Sequence, residues 1–222
     1  MKKMYLALAI AGLLAGCATP SDNASTAAVA PAANTTAVSG DNLIADAQIS
    51  DFRANSGRSD VWHKDADKKN GLGDVGSSKV SAFKSDEGSA RLRFISADDD
   101  FSATPGLSQQ VNGLTPNTDY VYSVYFEDKK GDASPTALIA GVNDASGSEL
   151  TAKTFHVSDL ADAPHAERKS FHKVSVEFNS GSNTTATIFA KLKVTDKSAL
   201  NMDANIGKQT EVRVDQFSLA KK

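Results

Sequence analysis

In the stretch DYVYSVYFE, residues 119–127, every second side chain is large and apolar, so Tyr120, Tyr122, Val124 and Phe126 share one side of an extended chain. A period of two buries one face of a strand and cannot be reconciled with a helix. The same period places Ala90, Leu92 and Phe94 inward, then Val174, Val176 and Phe178, then Ala186, Ile188, Ala190 and Leu192. Further strands are expected at 42–51, 78–83, 107–111, 136–142, 154–157 and 211–219, separated by turn signals such as Asn112-Gly113, Lys130-Gly131 and Ser180-Gly181. The one helix candidate, 158–168, is interrupted by Pro164. Many short strands without alternating helices predict an all-β fold, an antiparallel β-sandwich.

Alternation also fixes what points outward: Arg91 and Arg93 on one strand, Tyr125 on another, and Phe189, Lys191 and Lys193 on a third. If these strands share a sheet, its outer face is basic and aromatic, although the chain carries 27 acids against 24 bases. The bland reading of each residue stays open: Trp62 in the core, Tyr125 and Phe189 under a loop, the cations as ordinary solvated sheet residues. The acidic balance, with no basic block, excludes the electrostatic footprint of a nucleic-acid binder.

Residues 1–16 join Lys2 and Lys3 to an apolar run too short for a comfortable membrane span. The run ends Leu14-Ala15-Gly16-Cys17, which resembles the bacterial lipobox. That resemblance implies cleavage before Cys17, the chain's single cysteine, and acylation of it as a membrane anchor. Alanine at 18, where enteric lipoproteins retained at the inner membrane carry aspartate, implies the outer membrane. Residues 17–40 consist almost wholly of Ala, Ser, Thr, Asn and Pro, and read as a flexible tether ahead of a domain spanning 41–222.

The run LSQQVNGLTPNTDYVYSVYF, residues 107–126, resembles a signature of carbohydrate-binding modules of the galactose-binding-like, jelly-roll type. These are appended to polysaccharide-degrading enzymes, alginate lyases among them. Residues 171–192 and 212–219 resemble two further hallmarks, and the likeness spans nearly all of 42–220. It implies a binding role for Trp62 and a structural calcium at Asp215 on the closing strand. The glutamate that accompanies this aspartate in related modules is Arg53 here.

Catalysis is not expected. No H-E-x-x-H or G-x-S-x-G occurs, and the four histidines are scattered. Thr210-Glu211-Val212-Arg213 resembles part of an alginate lyase strand, but the partner motifs needed to neutralise, abstract and donate are missing. The expectation is therefore a lipid-anchored protein that binds an acidic polysaccharide such as alginate, with a polysaccharide-degrading enzyme as a further partner. The named contacts are Arg91, Arg93, Tyr125, Phe189, Lys191, Lys193 and Trp62. The alternative is an envelope lipoprotein using the same sandwich to hold a protein partner.

Overall fold

A computed structural model describes residues 42–222. The leader, Cys17 and the tether at 17–40 lie outside the described residues. The strands are β1 (His63–Asp65), β2 (Asp74–Ser78), β3 (Ser89–Arg93), β4 (Gly106–Asn112), β5 (Asp119–Asp128), β6 (Thr136–Asp144), β7 (Glu149–Phe155), β8 (His172–Asn179), β9 (Thr185–Val194) and β10 (Val212–Lys221). Two short helices join them, α1 (Ser50–Ala54) and α2 (Ile206–Gln209).

The strands form two five-stranded sheets, ordered β1-β4-β9-β6-β7 (sheet A) and β2-β3-β10-β5-β8 (sheet B). Every pairing is antiparallel. The predicted inward residues of β3, β5, β8 and β9 are all buried and meet in one core between the sheets. A β-bulge between Asp215 and Ser218, with Gln216 at φ 50°, shifts the register of β10. The extra residue turns Phe217 and Leu219 inward and leaves Asp215 on the other face. Tyr122 crosses the core from sheet B and donates its hydroxyl to the carbonyl of Phe189 on sheet A at 3.1 Å. Full burial pushes this phenol's pKa up, which keeps the hydroxyl a donor.

Four local expectations are corrected. Residues 42–51 are not a strand: Asp46 and Ile49 have positive φ, and the Asp46 carboxylate accepts the amides of Asp51 and Phe52 at the start of α1. The segment is held instead by Gln109, whose amide pairs with both the N–H and the carbonyl of Ala45. Residues 79–83 are loop, β2 having ended at Ser78, and β7 begins five residues earlier than its predicted strand. The 158–168 helix is a single tight turn at Val157–Asp159, because Pro164 and the exposed polar residues around it give no apolar face to bury.

Candidate functional site

The six outward residues do not share a face. Arg91 and Arg93 of β3 and Tyr125 of β5 lie on the outside of sheet B, whereas Phe189, Lys191 and Lys193 of β9 lie on the outside of sheet A. Alternation decides in or out for each strand and says nothing about which sheet a strand joins. Trp62 is also corrected: it is 3% exposed, packs its ring 4.5 Å from that of Phe217, and donates its indole N–H to the Asp46 carbonyl at 3.1 Å. It is a core residue and offers no surface for stacking.

The outer face of sheet A carries polar side chains on its central strands. Ser108 and Gln110 of β4, Thr187 of β9 and Asn143 of β6 point outward, and register places Gln110, Thr187 and Asn143 in one row. The next row runs His63, Ser108, Phe189, Gly141, Ala152 across all five strands. Phe189 lies flat because its neighbour is glycine: a Cβ on Gly141 would sit 2.4 Å from the ring's Cζ. The ring is only 7% exposed, contrary to the expectation of a free platform. Lys191 reaches over it, with Nζ 5.3 Å from the ring centroid, and pairs with Asp65 of β1 at 3.5 Å. Lys193 is exposed at the end of the same strand. At the β1 edge, a cavity of ≈ 350 Å³ opens between His63–Asp67 and Thr104. The chemistry offered is amide and hydroxyl hydrogen bonding, two lysine cations, and a ring beneath one of them.

Sheet B is different. The loop after β2 and the loop before β8 cover part of its outer face with a second cluster, Ala82, Ala166 and Phe171, against which Val80, Phe83 and Tyr125 pack. The Tyr125 ring meets Phe83 edge-on at 5.4 Å, and partial burial raises its pKa. Beside the cluster is a lattice of charges. Arg93 donates to Asp74 at 3.1 Å, and Arg213 is forked between Glu127 and Glu211.

Asp215 is fully buried under the same loops. Its carboxylate accepts the amides of Ala82 at 2.9 Å and Gln216 at 2.8 Å. Burial raises its pKa well above the ordinary range, with Asp86 and Asp46 adding to the effect. Calcium takes six to eight oxygen ligands. Both Asp215 oxygens already accept amides, Asp86 accepts the Gln216 side chain, and Arg53 lies in α1. Among the described residues no three His, Cys, Asp or Glu side chains group as metal ligands. The side chains here are a poor fit to a calcium ion.

No known family's sequence profile matches the chain, and no curated protein does. Solved structures do. The described fold superposes on TmCBM61 bound to β-1,4-galactotriose with a TM-score of 0.52 at 14% identity, covering 82% of this chain and all of that one. The fold is shared. The enzymatically active domain of bacteriophage CBA120 tailspike protein 4 also superposes, with a TM-score of 0.52 at 10% identity over 82% of this chain, which spans about a fifth of the tailspike chain. Caldicellulosiruptor saccharolyticus CBM27-1, bound to mannohexaose, matches at a TM-score of 0.47 and 11% identity, covering 76% of this chain and 92% of that one. The antiparallel β-sandwich predicted from alternation is borne out, with five strands in each sheet, and TmCBM61 has the same fold.

Sequence reasoning missed Ser108, Gln110, Thr187, Asn143 and Gly141. Gly141 was the available signal, since a glycine inside an apolar strand marks close approach of another group.

Proposed function

We propose that the domain is a non-catalytic polysaccharide-binding module and that its glycan lies across the outer face of sheet A. The observation that carries this reading is the row of outward amide and hydroxyl groups beside Phe189 on Gly141. An extended sugar chain needs such a face. Lys191 and Lys193 favour an acidic glycan, with alginate the first to test; a uronate carboxylate competes with Asp65 for Lys191 and draws it off the ring. Acylation at Cys17, tethering to the outer membrane and work beside a polysaccharide-degrading enzyme belong to the same proposal; a structural calcium at Asp215 does not, because both carboxylate oxygens already accept amides. The leader and tether motifs support the first two; the likeness to carbohydrate-binding modules motivates the enzyme partner.

Titrating the purified protein with alginate and with a neutral β-glucan, at low and high salt, tests the proposal. Alginate is expected to bind more tightly, with Kd between about 1 µM and 1 mM. The difference should shrink as the Debye length falls from ≈ 10 Å at 0.1 M salt to ≈ 3 Å at 1 M. Gln110→Ala with Asn143→Ala should weaken both glycans, and Lys193→Ala alginate alone. Equal binding to both at every salt would remove the acidic preference, and binding untouched by all three substitutions would remove the face.

A further inference from the structure

The charge lattice on sheet B does not balance. Four cations, Arg91, Arg93, Arg213 and Lys129, face three carboxylates, Asp74, Glu127 and Glu211. Asp74 is engaged by Arg93 at 3.1 Å; Glu127 and Glu211 are engaged by Arg213, with Lys129 3.7 Å from Glu211. Arg91 is the cation left over. Its nearest carboxylate oxygen, on Asp74, is 4.0 Å away, and its Nε is buried without a hydrogen-bond partner. Among the described residues Arg91 makes no side-chain hydrogen bond, yet the side chain is 28% exposed and within reach of solvent. The space beside it is kept open by sequence: its cross-strand partner is Gly76, and a Cβ built there would meet only Arg91 Nη2, at 3.5 Å.

A half-buried guanidinium whose one ion pair is a 4.0 Å contact to Asp74, with two other arginines beside it, is an unfilled fork for a planar or tetrahedral oxyanion. Burial lowers its pKa, as do Arg93 and Arg213, while Glu211 and Asp74 act the other way. A bound anion would offset the repulsion among the three arginines. We propose that Arg91 anchors an oxyanion site on the outer face of sheet B, separate from the glycan face, taking the carboxylate of a uronate residue or a sulfate ester. This site stands whether or not sheet A binds sugar.

The arginine Nε–H resonances of the whole protein can be followed by NMR during titration with glucuronate, inorganic sulfate and glucose at constant ionic strength, chloride being the balancing anion. The Arg91 signal, assigned by its loss in Arg91→Lys, should move with an oxyanion and stay still with glucose. A shift with glucuronate alone identifies a uronate site, with sulfate alone a sulfate-ester site, and with both the shared chemistry. Arg91→Lys, which lacks the fork, should weaken binding about tenfold or more. Gly76→Asp places a carboxylate of the protein's own beside the guanidinium; it should raise the melting temperature and abolish the anion shift. An Arg91 signal unmoved by either anion, or anion binding unchanged in Gly76→Asp, would overturn the proposal. Gln110→Ala should leave the Arg91 shift intact, so failure of the sheet A reading would be seen separately.

Discussion

Gly141→Ala is the sharpest test of how Phe189 is held. The new methyl would lie 2.4 Å from Cζ of Phe189, 2.7 Å from the Thr151 carbonyl oxygen and 2.9 Å from Cβ of Ala152. These are far inside ordinary contact, so the ring must lift and β7 must shift slightly. Overpacking of this kind typically costs about 1–3 kcal/mol. For a domain of this size the melting temperature should fall by roughly 2–12 °C. Trp62, the only tryptophan, is buried against Phe217 and gives a fluorescence signal for urea or thermal unfolding. The companion variant Phe189→Ala removes the ring that the methyl strikes. If the ring is the main obstacle, the double variant should be less destabilised than the sum of the singles, with a coupling in the range of about 0.5–3 kcal/mol seen for residues in contact. The Thr151 carbonyl remains in the way, so recovery should be partial. A Gly141→Ala protein that melts with the parent, or a double variant whose losses simply add, would refute the packing described for this face.

Two other outcomes are expected. Asp215 has a folded-state pKa above its unfolded value, so its favourable contribution is fully present below about pH 3.9, the unfolded value, and is lost as pH rises through the folded one. Asp215→Asn should therefore flatten the decline of melting temperature from acid to neutral pH, with the acidic neighbours Asp86 and Asp46 unchanged; curves parallel to the parent would contradict this, and a parent melt lowered by chelator would instead favour calcium. Cys17→Ser should abolish incorporation of labelled palmitate and release the protein from the membrane fraction, and unchanged fractionation would count against the anchor.

The sequence made the core legible because alternation needs only local information. Tyr120, Tyr122, Val124 and Phe126 had to point one way whatever β5 paired with. Sheet membership was not legible. β9 pairs with β4 and β6, and β3 with β2 and β10, by contacts remote in sequence, so Lys191 and Arg91 ended on opposite faces. Residues 42–51 look like a strand by composition, but the Asp46 carboxylate and the Gln109 side chain satisfy their backbone groups by other means. β1 has three residues, too few for a period to show. Trp62 was ambiguous for a different reason: its bulk suits the core, and its one polar atom finds a carbonyl there. The candidate site was half legible, since Lys191 and Lys193 do reach the sheet A face, whereas the cover that Lys191 lays over Phe189 depends on Asp65 of another strand.

The way the described chain begins has a mechanical consequence. The Asn42 side chain donates to the Phe217 carbonyl and accepts the Leu219 amide, and the Leu43 amide donates to the Leu219 carbonyl. Beyond these come the Gln109 clasp on Ala45 and the Phe217 amide on the Ala47 carbonyl. Tension arriving through residue 41 would load these bonds one after another, as a zip opens, each resisting with only about 1 kcal/mol. The load would reach β10 and β4 only through these contacts until α1 was reached. Residues 42–49, fully extended, span at most about 26–29 Å, so a pulled molecule should yield at its hem before its sheets come apart.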